Sequence, residues 1–219
     1  EEEQVVRAAN SFVNHELGEA ILVGREDRIK QAFTDAGVKE RLQFTLINAA
    51  LSDRADEYAE FLYKRLQRFG YLHRDVQRLV NQDRNVFGAS MVAAGHADGM
   101  VTGVTRNYAT ALEDILRVID PARNEKPMGM SIVLSRGRTL FIADTAVSEF
   151  PDAPELARIV MQTAAMVRQF GAVPRVALVS ASTFGNPKME RSEKIRDAVS
   201  ILDRREDIDF EYEGEMNVD

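Results

Sequence analysis

Cysteine is absent from this chain of 219 residues, and histidine is rare. Without cysteine, the protein has no disulfide framework, no thiolate metal site and no cysteine nucleophile. Its three histidines, His15, His73 and His96, lie far apart in the sequence and lack the spacing of metal ligands. The sequence therefore predicts no metal site in this chain.

Clusters of basic residues and long apolar runs are also missing. The formal net charge is −7 and no cluster of Lys and Arg faces one way, which argues against nucleic acid and membranes as partners. No apolar run approaches the length of a transmembrane helix. These absences predict a soluble, cytoplasmic protein. Because the chain starts at Glu1 without a methionine and ends just after an expected strand, we expect a fragment of a longer polypeptide.

Short apolar runs alternate with amphipathic helical patterns along the whole chain. This alternation predicts an α/β protein with a mostly parallel sheet, interrupted by one antiparallel hairpin at 135–138. The polar stretch 120–127 is bracketed by prolines and is typical of a linker, so we expect two subdomains, residues 1–127 and residues 128–219. Strands are predicted at 20–23, 44–47, 100–101, 130–134, 140–143, 176–179 and 210–212, and those at 20–23, 100–101 and 176–179 are expected to be buried.

A loop rich in hydroxyls follows the predicted strand 176–179. It contains Ser182, Thr183, Gly185 and Asn186 and leads into a helix. In an open α/β sheet such a loop lies at the carboxyl edge of the strands, where ligands bind, and the N-terminus of a helix there attracts phosphate. The alternative is a simple strand-to-helix connection that binds nothing.

Two further loops, 103–108 and 144–147, are expected to meet the hydroxyl-rich loop 180–188 at the same edge. Their hydroxyls, amides and cations suit a phosphate-bearing small molecule better than a metal or a peptide bond, and no Ser–His–Asp arrangement is evident. Two alternatives stay open: Asp144 caps its own loop, and Arg106 is a solvated surface cation. The candidate binding residues are Arg106, Asn107, Tyr108, Asp144, Thr145, Ser182, Thr183, Gly185, Asn186, Lys188 and Arg191.

Several motifs of this chain occur in the order seen in phosphate acetyl/butyryltransferases, and the chain resembles that family over nearly its whole length. The resemblance implies a three-layer, doubly wound fold with two subdomains, like that of isocitrate and isopropylmalate dehydrogenases, and acyl-coenzyme A in the cleft between them. The motifs that carry it are GREDRI at 24–29, HADGMVTG at 96–103, FIADTAV at 141–147, PRVAL at 174–178, Ser182-Thr183 and Gly214-Glu215.

Within that family, the sequence is similar to the C-terminal domain of bacterial hybrid malic enzymes. The similarity lies in TGVTRNY at 102–108, ALEDI at 111–115, MSIVLSRGRT at 130–139 and STFG at 182–185. It implies a domain that transfers no acetyl group, binds acetyl-CoA as an allosteric effector through the candidate residues above, and self-associates. An N-terminal malic-enzyme domain of the same polypeptide would convert malate to pyruvate with NADP or NAD and Mg or Mn, so no cofactor and no catalytic residue is expected here.

Three departures from active transferases support this branch. Glu113-Asp114 stand where active members carry an arginine followed by a proline, and a carboxylate cannot clamp a phosphoryl group. Asn186, beside the apolar Phe184, stands where they carry a second serine, and their D-L-S-R-G motif lies nearer the C-terminus than this chain extends. Two alternatives remain: a working phosphate acetyl/butyryltransferase, and a purely structural oligomerisation domain.

Overall fold

A computed structural model of the chain describes residues 2–38, 44–123, 125–186 and 190–218, without the side chains of 190 and 191. The chain forms two compact units, Glu1–Asn124 and Glu125–Asp219. The first holds α1 (Glu3–Asn14), β1 (Ala20–Val23), α2 (Glu26–Asp35), β2 (Phe44–Ile47), α3 (Ala55–Leu66), α4 (His73–Gln82), α5 (Arg84–Ala93) and α6 (Tyr108–Leu116), with short 3₁₀ turns at Ala49–Leu51 and Gln67–Phe69. The second holds β3 (Met130–Ser135), β4 (Arg138–Ala143), α7 (Ala153–Gln169), β5 (Arg175–Val179), α8 (Glu190–Asp203) and β6 (Glu211–Met216).

The first unit contains a parallel strand pair and a helical cluster. Strands β1 and β2 pair in parallel. Helices α1 and α2 supply Val6, Ile29 and Phe33, which form one core cluster with Leu22 of β1. Helices α3, α4 and α5 enclose a second cluster, whose fully buried members include Leu62. Both clusters follow from the helical spacing of apolar residues, which places them on one face of each helix.

The expected strand at 100–101 is wrong, because these residues lie in the loop between α5 and α6. Val101 is fully exposed, whereas Met100 packs against α5, where a Cβ added to Gly88 would meet its Sδ at 2.7 Å. A run of two apolar residues between glycines offers too few ladder hydrogen bonds to form a strand. The loop instead presents polar side chains next to α5.

The second unit opens with an antiparallel hairpin, as the sequence predicts. Strands β3 and β4 pair from Met130↔Ala143 to Ser135↔Arg138. The two turn residues between them both have positive φ, +48° at Arg136 and +77° at Gly137. A two-residue turn of this kind matches the twist of the strands and favours glycine.

Strands β5 and β6 pair in parallel, and helices α7 and α8 pack on them through Val160, Leu178, Ala198 and Leu202. The prediction that residues 176–179 are fully buried is wrong: Leu178 is buried, but Val179 is 52% exposed. Neighbouring side chains of a strand point to opposite faces, and the helices cover one face of β5.

The described strands form three two-stranded sheets, two parallel and one antiparallel. The prediction of a mixed α/β protein with parallel pairs and one hairpin is confirmed. Helix α6 ends at Leu116, and Val118 beyond its end is still buried. None of the described helices is long and apolar enough to cross a membrane.

Candidate functional site

A cluster of three serine hydroxyls lies at the carboxyl end of β5. Ser180 Oγ is 2.8 Å from Ser192 Oγ, and Ser182 Oγ is also hydrogen-bonded to Ser192. Ser182 and Ser192 are each 1% exposed. Ser192, on α8, was not predicted, and its hydroxyl links the start of that helix to the loop after β5. The structure thus gives Ser182 a buried position in a hydroxyl network.

Glu215 of β6 holds this loop in place from the neighbouring strand. Its Oε1 accepts a hydrogen bond from Gly185 N–H at 2.7 Å and lies 3.1 Å from Arg196 Nη1, while its backbone carbonyl accepts from Phe184 N–H at 3.0 Å. Glu215 is fully buried. Burial raises the pKa of the carboxyl, but the Gly185 N–H, the nearby serine hydroxyls and the Arg196 charge outweigh it and hold the pKa below its usual range.

The tip of the loop is a tight turn. The N–H of Thr183 donates to the carbonyl of Asn186 at 3.0 Å, and the N–H of Asn186 returns the bond at 3.0 Å. Gly185 has φ +87°, a conformation that glycine adopts easily. Thr183 and Asn186 are exposed, so their side chains are open to a ligand. Two predicted cations, Lys188 and the side chain of Arg191, lie outside the described residues.

The Asp144 carboxylate organises the loop that follows β4. Its Oδ1 accepts backbone N–H bonds from Gly129 at 2.8 Å, Ala146 at 3.1 Å and Val147 at 3.1 Å, and its Oδ2 accepts from Ser148 N–H at 2.9 Å. Partial burial raises the pKa of Asp144, but these four bonds outweigh it and lower the pKa. In this structure Asp144 fixes the loop conformation, and its role toward a ligand stays a prediction.

Thr145, the next candidate, is exposed and accepts a hydrogen bond from the Ser131 hydroxyl at 3.3 Å. Its N–H donates to the carbonyl of Gly129 at 3.1 Å. Among the residues that the structure describes, no hydrogen bond joins this loop to the serine-rich loop 180–186. Each of the two loops in the second unit is therefore stabilised by its own contacts.

In the first unit, Arg106 is paired with two carboxylates. Its Nη1 lies 2.7 Å from Asp83 Oδ2 and 2.9 Å from Asp114 Oδ2. The buried Asp114 also accepts hydrogen bonds from Arg117 Nη1 at 2.8 Å and from Asn85 Nδ2 at 3.2 Å. The hydrogen bond to Asp83 is the largest cause that raises the pKa of Arg106. Arg106 is therefore not a lone solvated cation in this structure.

The two candidates that follow Arg106 lie at the start of α6. Asn107 caps the helix, since its Oδ1 accepts the N–H of Ala109 at 2.9 Å. Tyr108 is 49% exposed. Asn107 thus has a structural role at the N-terminus of α6. The lone pair of Oδ1 that caps the helix is not available to a ligand.

A cavity of about 240 Å³ opens beside Arg106, at the carboxyl end of β1. Its floor is apolar, and Val6, Leu22 and Met100 contribute to it. Its polar lining residues are Glu2, Arg84, Thr102, Thr105 and Arg106, together with the buried Asn85. Thr102 donates to Asn85 Oδ1 at 2.6 Å, which ties the loop to α5. The site combines an apolar interior with charged groups at its entrance, as ligand pockets commonly do.

The model of the family described as phosphate acetyl/butaryl transferase matches residues 1–219. The chain belongs to this family. In the parts that the structure describes, this family member has no group of three or more His, Asp or Glu side chains that could hold a metal ion.

Relatives of this phosphate acetyl/butaryl transferase family member include an NADP-dependent malic enzyme of Rhizobium meliloti (strain 1021), 54% identical over 220 residues, and a probable NADP-dependent malic enzyme of Rickettsia prowazekii (strain Madrid E), 44% identical over 228. The alignments cover 100% of this chain but 29% and 30% of those proteins, so the chain spans less than a third of their length. Among solved structures, the EutD phosphotransacetylase from Staphylococcus aureus matches 98% of this chain and 66% of its own, with a TM-score of 0.83 and 25% identity.

Four residues of this family member that build the sites were not predicted: Asp83, Asp114, Ser192 and Glu215. Asp114 carries a signal in the sequence, since it lies between Ala111 and Val118 on the apolar face of a helix, where a charge needs a partner. Glu215 is part of a family motif but has no local pattern that indicates its role. Asp83 and Ser192 become recognisable only through the fold.

Proposed function

We propose that the chain is the acetyl-CoA-sensing, oligomer-forming domain of a malic enzyme and transfers no acyl group itself. The observation that carries the proposal is that Glu113 and Asp114 both form ion pairs with arginines. Asp114 is buried and pairs with Arg106, and Glu113 pairs with Arg117 at 2.6 Å. Arg106, just before the start of α6, and Arg117, at its C-terminal end, are thus paired with carboxylates of the same unit, where active transferases would hold a phosphoryl group with an arginine.

Acetyl-CoA fits the remaining donors. Its phosphates need N–H and hydroxyl donors and positive charge, and its pantetheine arm needs partly apolar surface. The loop that carries Thr183, Gly185 and Asn186 offers exposed donors, and Arg106 lies at the rim of a cavity with an apolar floor. We place the ligand at these residues, with Lys188 and Arg191 as further cations.

The proposal also includes the fold of the whole chain. We expect the chain to have a three-layer, two-subdomain fold like that of isocitrate and isopropylmalate dehydrogenases. A ligand that binds one arrangement better than another shifts the equilibrium by its differential affinity, and this coupling can reach another domain. We also propose that the protein self-associates and is located in the cytoplasm.

The chemistry of the parent protein is assigned to its other part. That part would oxidise and decarboxylate malate to pyruvate with NADP or NAD and Mg or Mn. The 54% identity to the malic enzyme of Rhizobium meliloti across the whole chain supports this placement. The present chain would then contribute regulation and assembly.

Two measurements on the parent protein test the proposal against its alternatives. Titration calorimetry with acetyl-CoA should show saturable binding, and absence of binding would favour a purely structural domain. An assay for acetyl phosphate from acetyl-CoA and inorganic phosphate should show no turnover, and turnover would favour an active transferase. Inhibition of malate oxidation by acetyl-CoA is the result expected if both outcomes hold.

A further inference from the structure

The carboxylate of Asp83 has two separate tasks. Its Oδ1 accepts the N–H groups of Asn85 at 2.8 Å and Val86 at 3.1 Å, which caps the N-terminus of α5. Its Oδ2 accepts from Arg106 Nη1 at 2.7 Å. An N-cap needs an oxygen acceptor but no charge, and Asn serves there about as well as Asp. The negative charge of Asp83 therefore acts mainly on Arg106.

The two partners of Arg106 differ in their access to solvent. The Asp114 side chain is 5% exposed and is held by other donors, whereas Asp83 is 19% exposed and Arg106 is 38% exposed. An incoming anion can reach the Asp83–Arg106 pair but not the buried Asp114. Both hydrogen bonds use Nη1, so the Nε and Nη2 groups of Arg106 donate to nothing within the described residues.

The rim of the cavity beside Arg106 carries further charges. Arg84 and Glu2 line it together with Arg106, whereas Asp83 and Asp114, which pair with that guanidinium, do not line it. Arg84 has interactions of its own. The carboxylates therefore offset the positive charge that an anionic group would meet at this entrance, and removing one of them should strengthen the attraction.

We infer that Asp83 is a built-in competitor for Arg106. In the absence of ligand it pairs with the guanidinium beside the cavity, and it competes with a phosphate of acyl-CoA for the charge of Arg106 when the ligand binds. Asp114 keeps Arg106 in position throughout the exchange. This inference rests on the proposed function, because it assumes that acetyl-CoA binds at Arg106.

Asp83→Asn in the full-length protein tests the exchange. The amide oxygen can keep the cap on α5, and the amide nitrogen, a donor, cannot pair with Arg106. We expect acetyl-CoA to bind about two- to fivefold more tightly by calorimetry, because a partly exposed ion pair is worth up to about 1 kcal/mol. Asp152→Asn is the matched control, because Asp152 caps α7 through the Glu155 N–H at 2.8 Å. The control should leave acetyl-CoA affinity unchanged.

Arg106→Gln completes a double-mutant cycle with Asp83→Asn. Arg106→Gln alone should weaken binding, and Asp83→Asn should add nothing in its presence, because no guanidinium remains to be released. Equal or weaker binding by a folded Asp83→Asn protein, or the same gain with Gln at position 106, overturns the inference. If the full-length protein binds no acetyl-CoA at all, both the proposed function and the inference about Asp83 are wrong. If acetyl-CoA binds and Asp83→Asn leaves its affinity unchanged, only the inference about Asp83 is wrong.

Discussion

Arg196 Nη1 lies 3.1 Å from Oε1 of Glu215, a fully buried carboxylate of β6 that also accepts a hydrogen bond from the loop after β5. Removing one member of a buried ion pair leaves the other charge without compensation. We therefore expect Glu215→Gln to lower the melting temperature by several degrees and to speed hydrogen exchange at the Gly185 amide.

Glu211→Gln is the control for this variant. Glu211 is on the same strand and pairs with Arg175 at 2.6 Å, but the pair is exposed, and such pairs contribute little. Calorimetric melting of the two variants checks the difference. Equal melting temperatures would show that the Arg196–Glu215 pair does not stabilise the loop.

Acid should weaken the second unit through two carboxylates. The pKa values of Glu215 and Asp144 are lowered in the folded state, so both groups contribute stability above their unfolded pKa values, which are about 4. This contribution is lost as the pH falls through the lowered folded values. Urea unfolding measures the free energy of unfolding at pH 6 and at pH 3. Between these pH values the unsubstituted protein should lose more stability than the variant with both Glu215→Gln and Asp144→Asn.

Asp144→Ala should destabilise the loop after β4, because four backbone N–H groups lose their acceptor. Water replaces part of these bonds at this half-buried position, and we expect a loss of about 2 kcal/mol in the free energy of unfolding. Asp144→Asn should lose less, since its oxygen still accepts. If Asp144→Ala and the unsubstituted protein unfold at the same urea concentration, the carboxylate does not stabilise the loop and a role in ligand binding is favoured.

A cavity created in the core of the first unit should lower the free energy of unfolding. Leu62 is fully buried among α3, α4 and α5, whereas Leu51 is 80% exposed. Leu62→Ala is expected to cost about 2–5 kcal/mol of unfolding free energy, and Leu51→Ala less than about 0.5 kcal/mol. Chemical denaturation of both variants measures the difference, and similar midpoints would contradict the described packing.

Acetyl-CoA sensing should depend on Arg106 and on Lys188. A lost charge-assisted contact is worth about 1.5–3 kcal/mol, or about ten- to a hundredfold in affinity. Arg106→Ala and Lys188→Ala, made separately in the full-length protein, should raise the acetyl-CoA concentration needed for inhibition of malate oxidation, Arg106→Ala by the smaller amount because Asp83 already engages that arginine. Basal malate oxidation should stay nearly constant. A fall in basal turnover instead would assign these residues to assembly.

Local patterns predicted most of the secondary structure but little of the side-chain pairing. The hairpin was accessible from the sequence because Gly137 and the apolar strands beside it are adjacent in the chain. The expected strand at 100–101 is wrong because Met100 packs on α5, a contact that no local pattern reveals. Likewise, Arg106 could be recognised as a candidate cation, but its pairing with Asp83 spans 23 positions and depends on how α5 and α6 lie together.

The pairing of the strands has a consequence for the order in which the second unit can form during synthesis. The β3–β4 hairpin joins neighbouring segments, so it can close as soon as Ala143 has emerged. Strand β5 must wait until Glu211–Met216 has been made, because its parallel partner follows the whole of α8. Until then, its backbone groups and apolar side chains face solvent in the nascent chain. A fragment that stops before Glu211 would therefore retain the hairpin but leave β5 as an open edge prone to association.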